Sequence, residues 1–556
     1  GWFVQGHYHF PAVSATSTFR QVLPWMSART ASGDTLLLVP APDRQPLRFG
    51  PADAAPDHLP AFAKSWPVAR PFIDYLAADA ADGNVTALHA LHVVTWPARG
   101  NPYFSYQGMA VPIDEPLAPF VDVDGDGHYD PFAGDRPRIK GEKMLWSVLT
   151  ADPALASDTP FGPYTPPVEM RSAAYAWDCG ADHVLSRTTF LEWTFRSHAS
   201  EVLTDLRVGL YLDMDIGGGG DDRVGSLPDL DACMGYNGDA FDEEGYGADL
   251  PVQSWMSLSH PLAGMLALFP EGGGVPQAMT GLPQTAAEAW RLLHLSWADG
   301  TPLTQGGTGY DPASTDTAAF IWPGNPADSL AWSACSAGVA PANVVALPVI
   351  DLPELAPGEE VTLRMALVTH PDQGTCPDAD AIRAELAELR RLDSLGWFDL
   401  EAELWPEGIR EVDGFPYVLH LPEGGTYQWS TGDTTASIEV LEPGWYEVTV
   451  TGPDGCMSWQ DGIYLTDDLT AVSEPVAPQP LTIWPNPADL SFFVDAGAVP
   501  LSALRVSDLA GRVVWSGRGM ATEWRVPCAS WPPGLYLLAG RTADGRVLHG
   551  KVVVAR

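Results

Sequence analysis

LEWTFR, residues 191–196, sets apolar Leu191, Trp193 and Phe195 against polar Glu192, Thr194 and Arg196. Successive side chains on a strand point to opposite faces, so this is the period of a strand with one face on a core and the other toward water. Leu206, Val208 and Leu210 repeat the pattern after a short turn. Further on, Pro357, Gly358 and Glu359 open a turn into Val361, Leu363, Met365 and Leu367, which alternate again. The 54 glycines and 52 prolines supply turns for many short strands. The chain therefore reads as mainly β, with a large β-sandwich-type unit over residues 1–400. One helix is expected, over residues 378–395. There Ile382, Leu386, Leu389 and Leu392 share a face, and Asp378 and Asp380 sit where the helix dipole favours anions.

At 556 residues the chain is too long for one ordinary domain, and 46% apolar residues with 21 tryptophans are enough for sizeable cores. Charge is lopsided: 71 acidic residues against 30 basic give a net charge of −41. Nucleic acid and anionic membranes would repel such a surface, whereas cations would not. No apolar run approaches the roughly 18 residues of a transmembrane helix. The chain opens at Gly1 without a basic and apolar leader, as expected either if a signal peptide has been removed or if the sequence starts at the mature end. The six cysteines form no CxxC, which argues against a zinc or redox site. Cys179–Cys233 and Cys335–Cys376 are the expected disulfides, with Cys456 and Cys528 unpaired.

Residues 402–466 read as a second module. YQWSTGDTTASIEVLEPGWYEVTVTGPDGC, residues 427–456, holds alternating strands joined by Pro443 and Gly444, as in a small β-sandwich. It resembles the immunoglobulin- or PKD-like repeats of Bacteroidota surface proteins. Residues 467–480, DDLTAVSEPVAPQP, are a polar, proline-bearing linker. Residues 481–556 contain WPNPA (484–488), VSDLAGRVV (506–514), PPGLYLL (532–538) and DGRVLHGKVVVAR (544–556). That order resembles the type A C-terminal sorting domain of type IX secretion substrates. Asp508, Gly511 and Arg512 stand at its D-x-x-G-R positions, Gly534 and Tyr536 at its G-x-Y, and Lys551 at its terminal lysine. The resemblance implies a Greek-key-like sandwich, export across the outer membrane, and the type IX secretion machinery as a partner.

The sharpest chemical motif is DVDGDGHYD, residues 122–130. Asp122, Asp124, Asp126 and Asp130 fall at positions 1, 3, 5 and 9, with Gly127 at position 6 and the carbonyl of His128 at the backbone-ligand position. This is the spacing of a calcium loop, in which hard oxygen ligands surround the ion. Position 12 is Ala133, so the loop is closer to the DxDxDGxxD repeats of thrombospondin type than to an EF-hand, and Asp135 is the candidate for completing the shell. A second acidic group combines Asp213 and Asp215 with Asp221 and Asp222 across four glycines. Here a bound metal, calcium before magnesium, competes with a solvated acidic loop.

Residues 85–400 also resemble a group of uncharacterised type IX secretion substrates. The likeness rests on TWPARGNPYF (95–104), LAPFVDVDGDGHYDPFAGDRPRIKGEKMLW (117–146), LYLDMDIGGGGDDRVG (210–225) and MGYNGDAFDEEGYG (234–247). It departs at Arg136 and Arg223, where tyrosine is usual, and implies address and architecture but no reaction. HExxH, GxSxG, Walker A and Rossmann patterns are all missing. His7 with His9 and His89 with His92 are pairs more typical of structural histidines. The sequence therefore points to an exported cell-surface or secreted protein, structural or adhesive, stabilised by Ca2+ and without catalytic activity. A glycan-binding surface protein and a secreted glycoside or peptide hydrolase are the alternatives, with surface glycans or other surface proteins as partners.

Overall fold

The computed structural model describes residues 8–9, 16–41, 45–73, 91–123, 125–272, 274–371, 373–401, 404–405, 409–467, 481–497, 500–508, 513–532, 534–542 and 547–555. The chain is mainly β and its sheets are almost wholly antiparallel. It forms two compact units, residues 1–67 with 140–399 and residues 68–139 with 400–556.

In the first unit, two sheets contribute to one apolar core. The larger sheet runs, neighbour to neighbour, through Asp222–Leu227, Ala232–Asn237, Val252–Ser257, Glu360–His370, Thr188–Ser197, Val168–Ala176, Lys143–Ala151 and Leu47–Phe49. The smaller runs through Leu262–Leu268, Val345–Asp351, Thr204–Asp213, Gln21–Arg29 and Thr35–Leu38. Leu191, Trp193 and Phe195 are buried while Glu192, Thr194 and Arg196 stay half-exposed, as the alternation of LEWTFR requires. They share the core with Trp25, Leu210 and Leu212 of the smaller sheet. Burying one such side chain contributes about 1.5–3 kcal/mol.

The central strands of the smaller sheet do not alternate: Gln21–Arg29 is buried along eight of its nine residues. Its outer face is covered by a helix, Ala286–Leu293. Gly209, on Thr204–Asp213, makes room for it, because a Cβ there would lie 2.6 Å from Leu293 Cδ2. Sequence periodicity missed this helix, although Thr285 and Glu288 form its capping box. The expected helix is present as Ala379–Ser394, with the Asp378 side chain accepting the Asp380 N–H and the four predicted apolar residues buried.

The cysteine expectations need correcting. Cys335 and Cys376 are bonded as expected. Cys233 is a free, fully buried thiol, so no bond joins it to Cys179. It sits one strand in from the edge of the larger sheet, opposite Ser226 and Trp255 on its neighbours, an environment sequence spacing does not reveal. Cys456 is disulfide-bonded, not unpaired, whereas Cys528 is buried and outside any disulfide, as expected.

In the second unit, Ile409–Glu411, Ser458–Thr466, Gly444–Thr451 and Thr426–Trp429 form one sheet, and Tyr417–His420 pairs with Ser437–Val440. Seven further strands from Thr482 to Val554 form two sheets around their own core, which includes Phe492, Val506, Tyr536 and Val552. Asn486 fastens the start of this module to its last strand, donating to Lys551 O at 3.1 Å and accepting from Val553 N at 2.8 Å. Gly511, Arg512 and residues 468–480 lie outside the described residues. Among the described residues no helix is long and apolar enough to cross a membrane.

Candidate functional site

The DVDGDGHYD loop, in the second unit, is wound around Asp122. Its Oδ1 accepts the Gly125 N–H at 2.8 Å and its Oδ2 the Gly127 N–H at 2.9 Å. Both glycines have left-handed φ, +75° and +77°, which side chains with a Cβ disfavour. Asp126 Oδ1 accepts the His128 N–H at 2.7 Å, and the His128 ring lies where a Cβ on Gly100 would be. Beneath the loop Asp135 is buried, its Oδ1 accepting from Val123 N and its Oδ2 from Asp130 N, each at 2.8 Å. Asp135 thus ties the two ends of the loop together. Tyr129, fully buried, pins the loop from below by donating its hydroxyl to Val93 O at 2.7 Å. Asp126 and the His128 side chain are exposed, Asp122 and Asp130 half-exposed, and Asp124 lies outside the described residues.

The second acidic group, in the first unit, is of a different kind. Asp213 ends the strand Thr204–Asp213 and Asp222 begins Asp222–Leu227, so the turn between them carries the chain from the smaller sheet to the larger. Asp213, Asp215 and Asp222 are all buried. Burial, and then the charge of Asp215, push the Asp213 carboxyl up to about 8 against the pull of Arg20. Burial and Asp215 likewise push Asp222 well above the usual carboxylate range. Asp213 shares a side-chain hydrogen bond with Asp215. Asp213 Oδ1 and Asp222 Oδ1 have no hydrogen-bond partner among the described residues. Asp221 faces elsewhere: it is half-exposed, and Asn237 donates to its Oδ2 at 3.5 Å. Asp242 closes the glycine turn instead, its carboxylate accepting from the N–H groups of Gly218, Glu244 and Tyr246. The structure thus brings together three of the four predicted residues of this group.

One arrangement was not legible in the sequence. Ser254 Oγ lies 3.0 Å from His370 Nε2, and His370 Nδ1 lies 2.6 Å from Glu385 Oε2. Hydroxyl, imidazole and carboxylate stand in the order of a nucleophilic relay. Ser254, however, is fully buried on a central strand of the larger sheet, beyond reach of a substrate carbonyl. Burial lowers the His370 pKa despite Glu385, keeping the ring neutral. Arg187 holds the other carboxylate oxygen at 2.9 Å and donates to Thr369 O at 2.7 Å. The group braces helix Ala379–Ser394 against the sheet.

A cleft of about 560 Å3 opens beside helix Ala286–Leu293, with Gln277, Gln284, Glu288, Arg291, Asp299 and Tyr310 among its lining residues. The Tyr310 hydroxyl donates to Asp299 Oδ2 at 2.8 Å.

Neither a family model nor a curated protein matches the chain. Two solved structures give partial likenesses. One is SGBP-B of the mixed-linkage glucan utilization locus of Bacteroides ovatus, in complex with a mixed-linkage heptasaccharide. It shows 17% identity over 24% of this chain and 35% of that one, with a TM-score of 0.11. The other is a polysaccharide lyase, with 11% identity over 69% of this chain and 34% of that one and a TM-score of 0.18. The chain spans about a third of the length of each. At these TM-scores neither likeness carries weight for fold or function.

Proposed function

We propose that this chain is an exported cell-surface or secreted scaffold, structural or adhesive, that calcium stabilises and type IX secretion delivers. The observation that carries the calcium part is the geometry at Asp122. Backbone N–H groups hold both of its oxygens, and Asp135 closes the loop from below, so the carboxylates at positions 1, 5 and 9 are fixed around one turn. Carboxylates gathered on one short loop repel one another less when a cation sits among them, and an ion that binds only the folded chain stabilises it by mass action. The order of motifs from Trp484 to Lys551 supports the export part. Calorimetry of calcium into the chelator-stripped full chain tests the loop: Asp124→Asn/Asp126→Asn should abolish one set of binding heats. Unchanged heats would contradict it.

The cleft beside helix Ala286–Leu293 favours glycan binding as a second reading. Its amides, carboxylates, guanidinium and phenol ring suit a hydroxyl-rich ligand, and its volume falls in the range of small-ligand sites. It is poorly arranged for hydrolysis. Glu288 Oε2 is taken up by the N–H groups of Gln284 and Thr285. Asp299 is opposed by burial but held below its ordinary value by hydrogen bonds from Thr301 and Tyr310, so it is ionised and unsuited to donate a proton. Glycan-array binding that is lost in Tyr310→Ala would support this reading, and an array without hits would remove it.

A further inference from the structure

We infer that the end of the smaller sheet holds a second divalent cation, bound by Asp213, Asp215 and Asp222 together with the amide oxygens of Gln21 and Asn343. The inference rests on the reading of the chain as calcium-stabilised and adds to it a buried site built by topology, not by a loop motif.

Four segments meet there. Asp213 stands opposite Gln21 on one neighbouring strand and opposite Val345 on the other. Residues directly opposed across antiparallel strands project from the same face, so the Gln21 and Asp213 side chains lie side by side. Asn343 is two residues before Val345 and next to Ala342, whose N–H donates to Asp222 O at 3.1 Å. The stretch 342–345 therefore runs from Asp222 to Asp213.

Oxygen atoms without partners collect at this place. Asp213 Oδ1, Asp222 Oδ1, Gln21 Oε1 and Asn343 Oδ1 are each buried, with no hydrogen-bond partner among the described residues. Asp213, Asp222 and Gln21 are 4%, 1% and 8% exposed. A stranded buried acceptor costs about 1–3 kcal/mol, more when charged. The proton that Asp213 shares with Asp215 leaves these four oxygens without partners, and a cation among them would supply one. The donor set is entirely oxygen and includes three carboxylates, which suits calcium. Magnesium keeps several waters and demands stricter geometry. Gly219 lets the turn close over the group, since a Cβ there would lie 2.5 Å from Asp215 Cγ. Without an ion the three carboxylates do not all approach within 4.8 Å of one another. A cation bound among them would draw them in. Because Asp213 belongs to the smaller sheet and Asp222 to the larger, the ion would clasp the two sheets at their crossover.

Native mass spectrometry of the full chain, stripped of metal and titrated with calcium alone, counts the ions. Two are expected on the wild type, and one each on Asp213→Asn/Asp222→Asn and on Asp122→Asn/Asp126→Asn. Should the first variant fail to fold, Gln21→Ala/Asn343→Ala leaves every charge in place and should weaken the second ion several-fold. A single wild-type ion that survives the Asp122→Asn/Asp126→Asn change supports this site and contradicts the loop. Wild-type stoichiometry and affinity in a folded Asp213→Asn/Asp222→Asn or Gln21→Ala/Asn343→Ala chain overturns the inference and shows that the buried carboxyls share protons instead.

Discussion

Gln21 and Asp213 stand directly opposite each other on neighbouring strands, and each carries a buried side-chain oxygen with no hydrogen-bond partner among the described residues. Two acceptors face to face are stabilised by a cation between them. Asp213→Asn turns one acceptor into a donor that can reach both Gln21 and Asp215 without a proton or an ion. In chelator the variant should therefore be more stable than wild type by about 1–3 kcal/mol. In excess calcium the order should reverse. Urea midpoints under both conditions measure this, and a variant less stable in both would argue against a cation at that position.

At Gly217 the turn beyond Asp213 leaves no room for a side chain. A Cβ on Gly217, at φ +78°, would fall 2.2 Å from Asp242 Oδ2. Gly217→Ala should push Asp242 off the N–H groups of Gly218 and Tyr246 and destabilise the chain by about 2–4 kcal/mol. Gly220→Ala, where nothing lies within 4 Å, is the matched control and should change little. Equal melting temperatures for the two variants would show that the turn gives way freely.

Glu385 sets a dependence on acid. Burial alone would raise its carboxyl, but hydrogen bonds from His370 and Arg187 outweigh burial and hold it at about 2, below the ordinary 4.5. A carboxyl depressed on folding contributes stability that is fully present above its unfolded value. That contribution disappears as pH falls from about 4.5 to about 2. Glu385→Gln should lower stability near neutral pH and flatten the decline over this window. Parallel pH profiles for variant and wild type would contradict the assignment.

The Cys335–Cys376 bond closes a loop of 41 residues. On chain entropy such a cross-link contributes about 4 kcal/mol. Cys335→Ser/Cys376→Ser should therefore lower the melting temperature of the oxidised full chain and leave a reduced sample unaffected. If both variant and wild type melt alike before reduction, the bond does not contribute.

Export rests on the last module. Deleting from Trp484 onward should leave the chain trapped in the periplasm of a type IX-secreting host, with the first unit still folded by circular dichroism. Normal surface display of the truncated chain would refute the proposed route.

The sequence was most informative where one face of a strand meets water. LEWTFR shows its burial in its own alternation, and Ile382, Leu386, Leu389 and Leu392 mark their helix by spacing alone. Gln21–Arg29 was not legible, because the core lies on one side and a helix on the other, and burial on both faces erases the period. The helix itself was signalled only by Thr285 and Glu288. The acidic residues divide in the same way. Asp122 to Asp130 follow a contiguous spacing and can be read directly. Gln21 lies 192 residues and Asn343 130 residues from Asp213 in sequence, and only strand register brings them near it, so no local pattern names them.

Calcium-dependent stability is the central claim, and thermal unfolding of the full chain across a calcium series is its most direct test. An ion bound only by the folded state stabilises it by about 2.7 kcal/mol at a hundredfold excess over Kd, and the gain keeps rising with the logarithm of concentration. The melting temperature should climb in that manner with calcium, climb less with magnesium, and return to its starting value on chelation. A melting temperature that is the same in excess calcium and in excess chelator would contradict the account.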